Sequence, residues 1–196
     1  GASGAIESPP MNPPRRSAFV LLAGLALGWA VAACLTGCAS TAPGPSPREA
    51  KARYQFNHIM RTCQVAAEDA TNEVDRVTLL NQAARSYQQL ARDYSDVPRW
   101  AAASLRSLGQ IHVEQDELKE ALSSFEQVGQ LYPGEHWEVI QSWKAAGDAL
   151  WNARHRGEAA LYYRQIVDTY GRPGQPPMFD TIVGIARGRL KEQGLP

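Results

Sequence analysis

A 38-residue internal repeat limits what this chain can fold into more than any other feature. Ala83-x3-Tyr87-x2-Leu90-x3-Tyr94 recurs as Ala121-x3-Phe125-x2-Val128-x3-Tyr132, and again as Ala159-x3-Tyr163-x2-Ile166-x3-Tyr170. Within each copy the apolar positions step by three and four, which lines one face of a helix. Turn formers follow each tyrosine: Ser95-Asp96, Pro133-Gly134 and Gly171-Arg172-Pro173-Gly174. These stop one helix and start the next. The other half of the unit repeats as well, with Leu105-x2-Leu108-Gly109 answered by Trp143-x2-Ala146-Gly147. The glycine admits close approach of a neighbouring helix. A unit this short cannot bury its apolar face alone and must stack on its neighbours. The expected fold is therefore all-α: an α-solenoid of about three helix-turn-helix repeats, closed by a C-terminal capping helix.

The flanks fit that plan. Arg48 to Ala70 predicts a longer helix with Phe56, Ile59, Met60, Cys63, Ala67 and Ala70 on one face. A break near Thr71-Asn72 leads into a second helix carrying Val74, Val77, Leu80, Ala84 and Tyr87. At the far end Pro177 suits a first-turn position. Ile182, Ala186 and Leu190 then form a stripe, with Arg187, Arg189 and Lys191 left in water. Counted together, about seven helices are expected. The five repeat tyrosines, Tyr87, Tyr94, Tyr132, Tyr163 and Tyr170, are expected to pack with their hydroxyls reaching the surface.

The first 47 residues differ in kind, with only Glu7, Arg15 and Arg16 charged. Residues 1–10 are set aside as an expression scar or an overlong gene start, with Met11 as the expected start. Arg15 and Arg16 form a positive n-region, and Ala18 to Ala33 is an uncharged run rich in Leu, Ala and Val. That run could just span a bilayer as a permanent anchor. Its end favours cleavage: Leu35-Thr36-Gly37-Cys38 resembles the lipobox of bacterial lipoproteins, and Val31-Ala32-Ala33-Cys34 is a rival site. Cys38 is favoured because it leaves the longer apolar run before the cut. The expected organisation is a lipoprotein signal peptide over 11–37, a lipidated cysteine and flexible tether over 38–47, and the helical domain over 48–196. Cleavage and acylation would leave Cys63 as the one thiol, so an oxidising compartment poses no pairing problem. The lipoprotein resemblance implies a triacylated cysteine and, with Ala39 rather than aspartate next to it, the periplasmic face of the outer membrane.

The segment from Ala102 to Glu135 places Leu105, Leu108, Gly109, Ala121, Phe125 and Pro133 at the spacings of a tetratricopeptide repeat, and it resembles that family. The next copy conforms too, and a third matches in its second helix. His112 stands where the family has a large apolar residue, whereas Leu150 conforms. The style of the repeats distantly resembles the helical lipoprotein of the β-barrel assembly machinery. In such domains the first helix of each pair lines a concave groove. The resemblance puts Arg106, Gln110 and Val113 there from one copy, and Lys144, Asp148, Trp151 and Asn152 from the next. Cations, amides and a large aromatic suit a peptide segment or a partner's helix. Trp151 has a second reading, packing into the following helix pair, and Trp143 occupies an inward position of its repeat.

Catalysis has little to stand on. His58, His112, His136 and His155 never fall at metal-ligand spacing, and neither HExxH nor CxxC occurs. Cys63 lies on an apolar face, where it acts as a small hydrophobe. Lysines plus arginines and aspartates plus glutamates number 20 each, so the sum gives no reason to expect nucleic acid or a strongly anionic surface as partner. The expected function is that of a membrane-anchored adaptor holding envelope proteins or peptide segments, without enzymatic turnover, metal or cofactor. A permanent structural subunit of a larger membrane-associated complex is the alternative.

Overall fold

The computed structural model describes residues 44–194. The leader, Cys34 and Cys38 lie outside the described residues. Helix α1 (Pro47–Ile59) continues through a π-helical stretch (Met60–Val65) into a short α-helical end (Ala66–Glu68). There follow α2 (Glu73–Asp93), α3 (Pro98–Glu114), α4 (Leu118–Leu131), α5 (His136–Asn152), α6 (Arg156–Tyr170) and, after a 3-10 turn (Pro177–Phe179), α7 (Asp180–Glu192). No strand occurs among the described residues, and no described helix is long and apolar enough to cross a membrane.

Local chemistry explains the first boundaries. Ser46 caps α1 by accepting the Glu49 N–H at 3.1 Å, with Pro47 in the first turn, where no backbone donor is needed. Asn72 caps α2 through the Asp75 N–H at 2.8 Å. The π-helical stretch has a packing reason. Ile59, Cys63 and Ala67 are all buried at successive four-residue steps. Such steps drift around a helix of 3.6 residues per turn, and a wider turn keeps them in line.

Each helix packs on the next in sequence, and α3 also meets α1 and α5, while α7 meets α5. The odd-numbered helices thus form one layer and α2, α4 and α6 a second, an arrangement compatible with an α-solenoid. Between the layers the core runs as linked clusters. Leu80, Tyr87, Leu90 and Ile111 fill one end. Ala102, Leu105, Val128 and Val139 come next, with Ala121, Phe125 and Ala146 beside them. Ile140, Leu150, Tyr163, Ile166, Phe179 and Ile182 fill the other end. These clusters all fall inside one compact unit, Ala42–Pro196, which therefore carries its own core.

Two connections share one geometry. After α3, Asp116 takes φ 59° and the Glu117 N–H reaches back to the His112 carbonyl at 2.8 Å. After α5, Arg154 takes φ 67° and the His155 N–H reaches the Leu150 carbonyl at 2.9 Å. A left-handed residue and a long back-bond satisfy the last carbonyls of each helix. Gly109 and Gly147 then let the helix pairs close: a Cβ at Gly109 would lie 2.5 Å from the Phe125 ring, and one at Gly147 would lie 2.9 Å from Tyr163.

Some sequence expectations shift in detail. Val74 is 76% exposed and Val77 is also exposed, rather than joining Leu80 and Tyr87 inside. Glu114, the last residue of α3, meets Arg76 at 3.7 Å, so the first turn of α2 overhangs its partner. Tyr87 and Tyr163 are fully buried, and their hydroxyls end on side-chain acceptors instead of in water.

Candidate functional site

On the layer of odd-numbered helices, α3, α5 and the π-helical stretch enclose a depression of about 450 Å³. Helix α3 contributes Gln110, Val113 and Glu114, which its three- and four-residue steps bring to one face. Helix α5 contributes Gln141, Lys144, Asp148 and Asn152 by the same spacing, and the wide turn adds Gln64. Phe125 of α4 forms part of the floor.

A charged relay stiffens one wall. Lys144 Nζ donates to Asp148 Oδ2 at 2.5 Å, and the Tyr163 hydroxyl donates to Asp148 Oδ1 at 2.7 Å. Burial raises the Tyr163 pKa well above the ordinary phenol value, and the bond to Asp148 raises it further. The phenol therefore stays a donor at physiological pH. Tyr87 does the same for Gln64, donating to its Oε1 at 3.1 Å. Desolvation of the fully buried ring pushes the Tyr87 pKa up to about 12. Glu114 is also raised, by burial first, with Arg76 opposing.

With both Asp148 oxygens engaged, the polar side chains of this lining left without a partner are carboxamides. Gln110, Gln141 and Asn152 make no side-chain hydrogen bond among the described residues, and the Gln64 amide nitrogen is likewise uncommitted. A carboxamide carries both a donor and an acceptor, which matches the paired N–H and C=O of a polypeptide backbone. Nothing in this wall pairs a nucleophile with a base. No group of three His, Cys, Asp or Glu side chains among the described residues is placed to hold a metal. Cys63 is buried behind Thr62, whose hydroxyl donates to the His58 carbonyl at 2.8 Å.

Gln110, Val113, Lys144, Asp148 and Asn152, expected from the sequence to share a groove, line this depression together. Two expected companions stand apart. Arg106 Nε donates to Glu138 Oε2 at 2.6 Å, with both side chains largely covered, and so cross-links α3 to α5. Trp151 turns toward the C-terminal helices, with the guanidinium carbons of Arg156 and Arg189 lying 4.7 and 4.6 Å from its ring centroid. Its edge meets Tyr163 at 6.2 Å. This is the second of its two sequence readings. Gln141 and Gln64 were not singled out from sequence. Gln141 lies three residues before Lys144, a spacing that marks it in retrospect. Gln64 comes from outside the repeat and carries no such signal.

No protein-family profile, curated protein or solved structure matches this chain.

Proposed function

We propose that this chain is a membrane-anchored periplasmic adaptor lipoprotein. Its tetratricopeptide-like helix pairs would hold a peptide segment of an envelope protein along the groove. The observation that carries the reading is the row of carboxamides with uncommitted groups, Gln64, Gln110, Gln141 and Asn152, facing an α5 wall braced by the Lys144–Asp148–Tyr163 relay. Rigid walls reduce the ordering cost of binding, and amide pairs grip a main chain whatever its side chains. The glycine contacts Gly109–Phe125 and Gly147–Tyr163 support the tetratricopeptide-like register. In this reading Cys38, with Cys34 as the alternative, carries the acyl anchor at the outer membrane. The partner belongs to an assembly, secretion or pilus machine.

A permanent structural subunit is the second reading, favoured by Leu131 and Leu161, which are 59% and 62% exposed on the even-numbered layer. Co-purification from mildly solubilised membranes separates the two. The wild type is compared with Gln110→Ala/Gln141→Ala/Asn152→Ala and with Leu131→Ser/Leu161→Ser, and captured proteins are identified by mass spectrometry. Loss of a defined envelope protein in the first variant alone supports the adaptor. Loss in the second alone supports the subunit. For the anchor, Cys38→Ala is expected to leave the precursor unprocessed, and normal maturation of that variant would move the anchor to Cys34.

A further inference from the structure

The equal totals of acidic and basic residues conceal a segregated surface on α1 and α2. Tyr54 is 71% exposed and stacks on His58 with centroids 6.3 Å apart and planes 9° from parallel. Two shallow depressions of about 660 and 680 Å³ flank this stack and share both rings. One is lined by Arg53 of α1 and Arg61 of the π-helical stretch, the other by Arg85 and Arg92 of α2. Among the described residues four guanidinium groups are paired with carboxylates: Arg48 with Asp96, Arg76 with Glu73, Arg106 with Glu138 and Arg189 with Glu192. Arg53, Arg61 and Arg85 join no ion pair among the described residues, and Arg92 reaches only the Gln89 amide oxygen at 3.0 Å. The single carboxylate in these linings, Asp93, accepts from Gln89 at 2.7 Å. Four acids of this region, Glu68, Asp69, Glu73 and Asp75, gather instead around the turn between the two helices, and Glu49 lies in the first turn of α1.

We infer that this face docks on a bilayer surface bearing anionic phospholipids, with the four guanidiniums taking lipid phosphates and Tyr54 entering the headgroup layer. Guanidinium forks match phosphate oxygens two at a time. An exposed amphipathic ring beside them is the side chain that settles at a membrane–water boundary. The placement agrees: α1 begins at Pro47, nine residues after Cys38. Were Cys38 the acylated residue of the proposed lipoprotein, this helix would lie nearer the anchor along the chain than any other described helix. The inference goes beyond the groove reading and does not require the acyl chain, so the two fail separately.

The test uses Ala42–Pro196, the unit that carries its own core, in co-sedimentation with large vesicles of phosphatidylcholine alone or mixed with phosphatidylglycerol. Binding is expected to the mixed vesicles only, and to weaken with salt as the charges are screened. Each cation near an anionic bilayer contributes roughly fivefold to partitioning. Arg53→Gln/Arg61→Gln/Arg85→Gln is therefore expected to weaken binding at least tenfold, roughly. Arg154→Gln/Arg164→Gln/Arg172→Gln, at the other end of the chain, is expected to change it less than twofold, on the order of the assay's scatter. Circular dichroism checks that both variants keep their helices. Equal binding to both vesicle types overturns the inference, as does an equal loss in both variants. Tighter binding to polyglutamate than to the anionic vesicles overturns it in favour of an acidic protein partner.

Discussion

Replacing Gly109 with alanine isolates the contact on which helix pairing depends. The added methyl would lie 2.5, 2.7 and 2.9 Å from Cε1, Cδ1 and Cζ of Phe125. Carbon atoms rest at about 3.5–4.0 Å, so the ring must retreat by about 1 Å. Phe125 is fully buried among Ala121, Ala146, Leu122 and Tyr162, which resist its retreat. Overpacking of this kind costs about 1–3 kcal/mol, while alanine regains about 1 kcal/mol of helix propensity over glycine. The net expectation is a destabilisation of up to about 2 kcal/mol, or as much as roughly 8 °C in Tm for a domain of this size. Gly188 supplies the control. It lies inside α7 with nothing within 4 Å of a new Cβ, so Gly188→Ala keeps the propensity gain and stabilises by about 0.5–1 kcal/mol. Urea unfolding followed by circular dichroism and tryptophan fluorescence measures both. Adding Phe125→Leu to Gly109→Ala should cost at least about 1 kcal/mol less than the two changes summed. Were Gly109→Ala as stable as Gly188→Ala, the close approach of α3 and α4 would be wrong.

Three more perturbations have expected outcomes. Asp116→Gly and Arg154→Gly relieve left-handed backbone at φ 59° and 67°, and each should raise the unfolding free energy by about 0.5–1 kcal/mol; a lower midpoint in urea would contradict this. Trp151→Ala removes two guanidinium contacts and the packing beneath them, and should cost about 2–3 kcal/mol. Amide hydrogen exchange should then quicken across Ile182–Leu190 more than across α3, and uniform exchange would speak against a local clamp. Tyr87 should make stability fall in alkali. Its folded pKa of about 12 exceeds the ordinary 10, so the folded state holds the proton longer, and stability is intact below about pH 10 and declines toward pH 12. Unfolding at pH 7, 9 and 11 should show the decline, and Tyr87→Phe should reduce it.

The helical pattern was legible wherever a residue's role depends on its own helix. Gly109, Phe125, Gly147 and Tyr163 mark the pairing of helices by spacing alone, and Gln110, Val113, Lys144, Asp148 and Asn152 share a face for the same reason. Roles set by distant partners were not legible. Arg106 is claimed by Glu138, 32 residues on, and Trp151 by Arg156 and Arg189 of two later helices. The overhang of Val74 depends on where α3 stops, which the pattern of α2 does not record. Gln64 reaches the groove from a wide turn whose phase no 3.6-residue wheel describes.

That wide turn has a mechanical consequence. Such a turn holds one residue more than an α-helical turn and so works as a slack link: deleting one residue from Met60–Val65 would let the stretch close into ordinary α-helix. The segment Pro47–Ile59 would keep nearly its present facing, with Ala52 and Ile59 still in the core. Inside α2 or α3 there is no such slack, and each residue lost turns the rest of the helix by about 100°. A deletion in the wide turn should therefore be tolerated far better than one in either neighbouring helix.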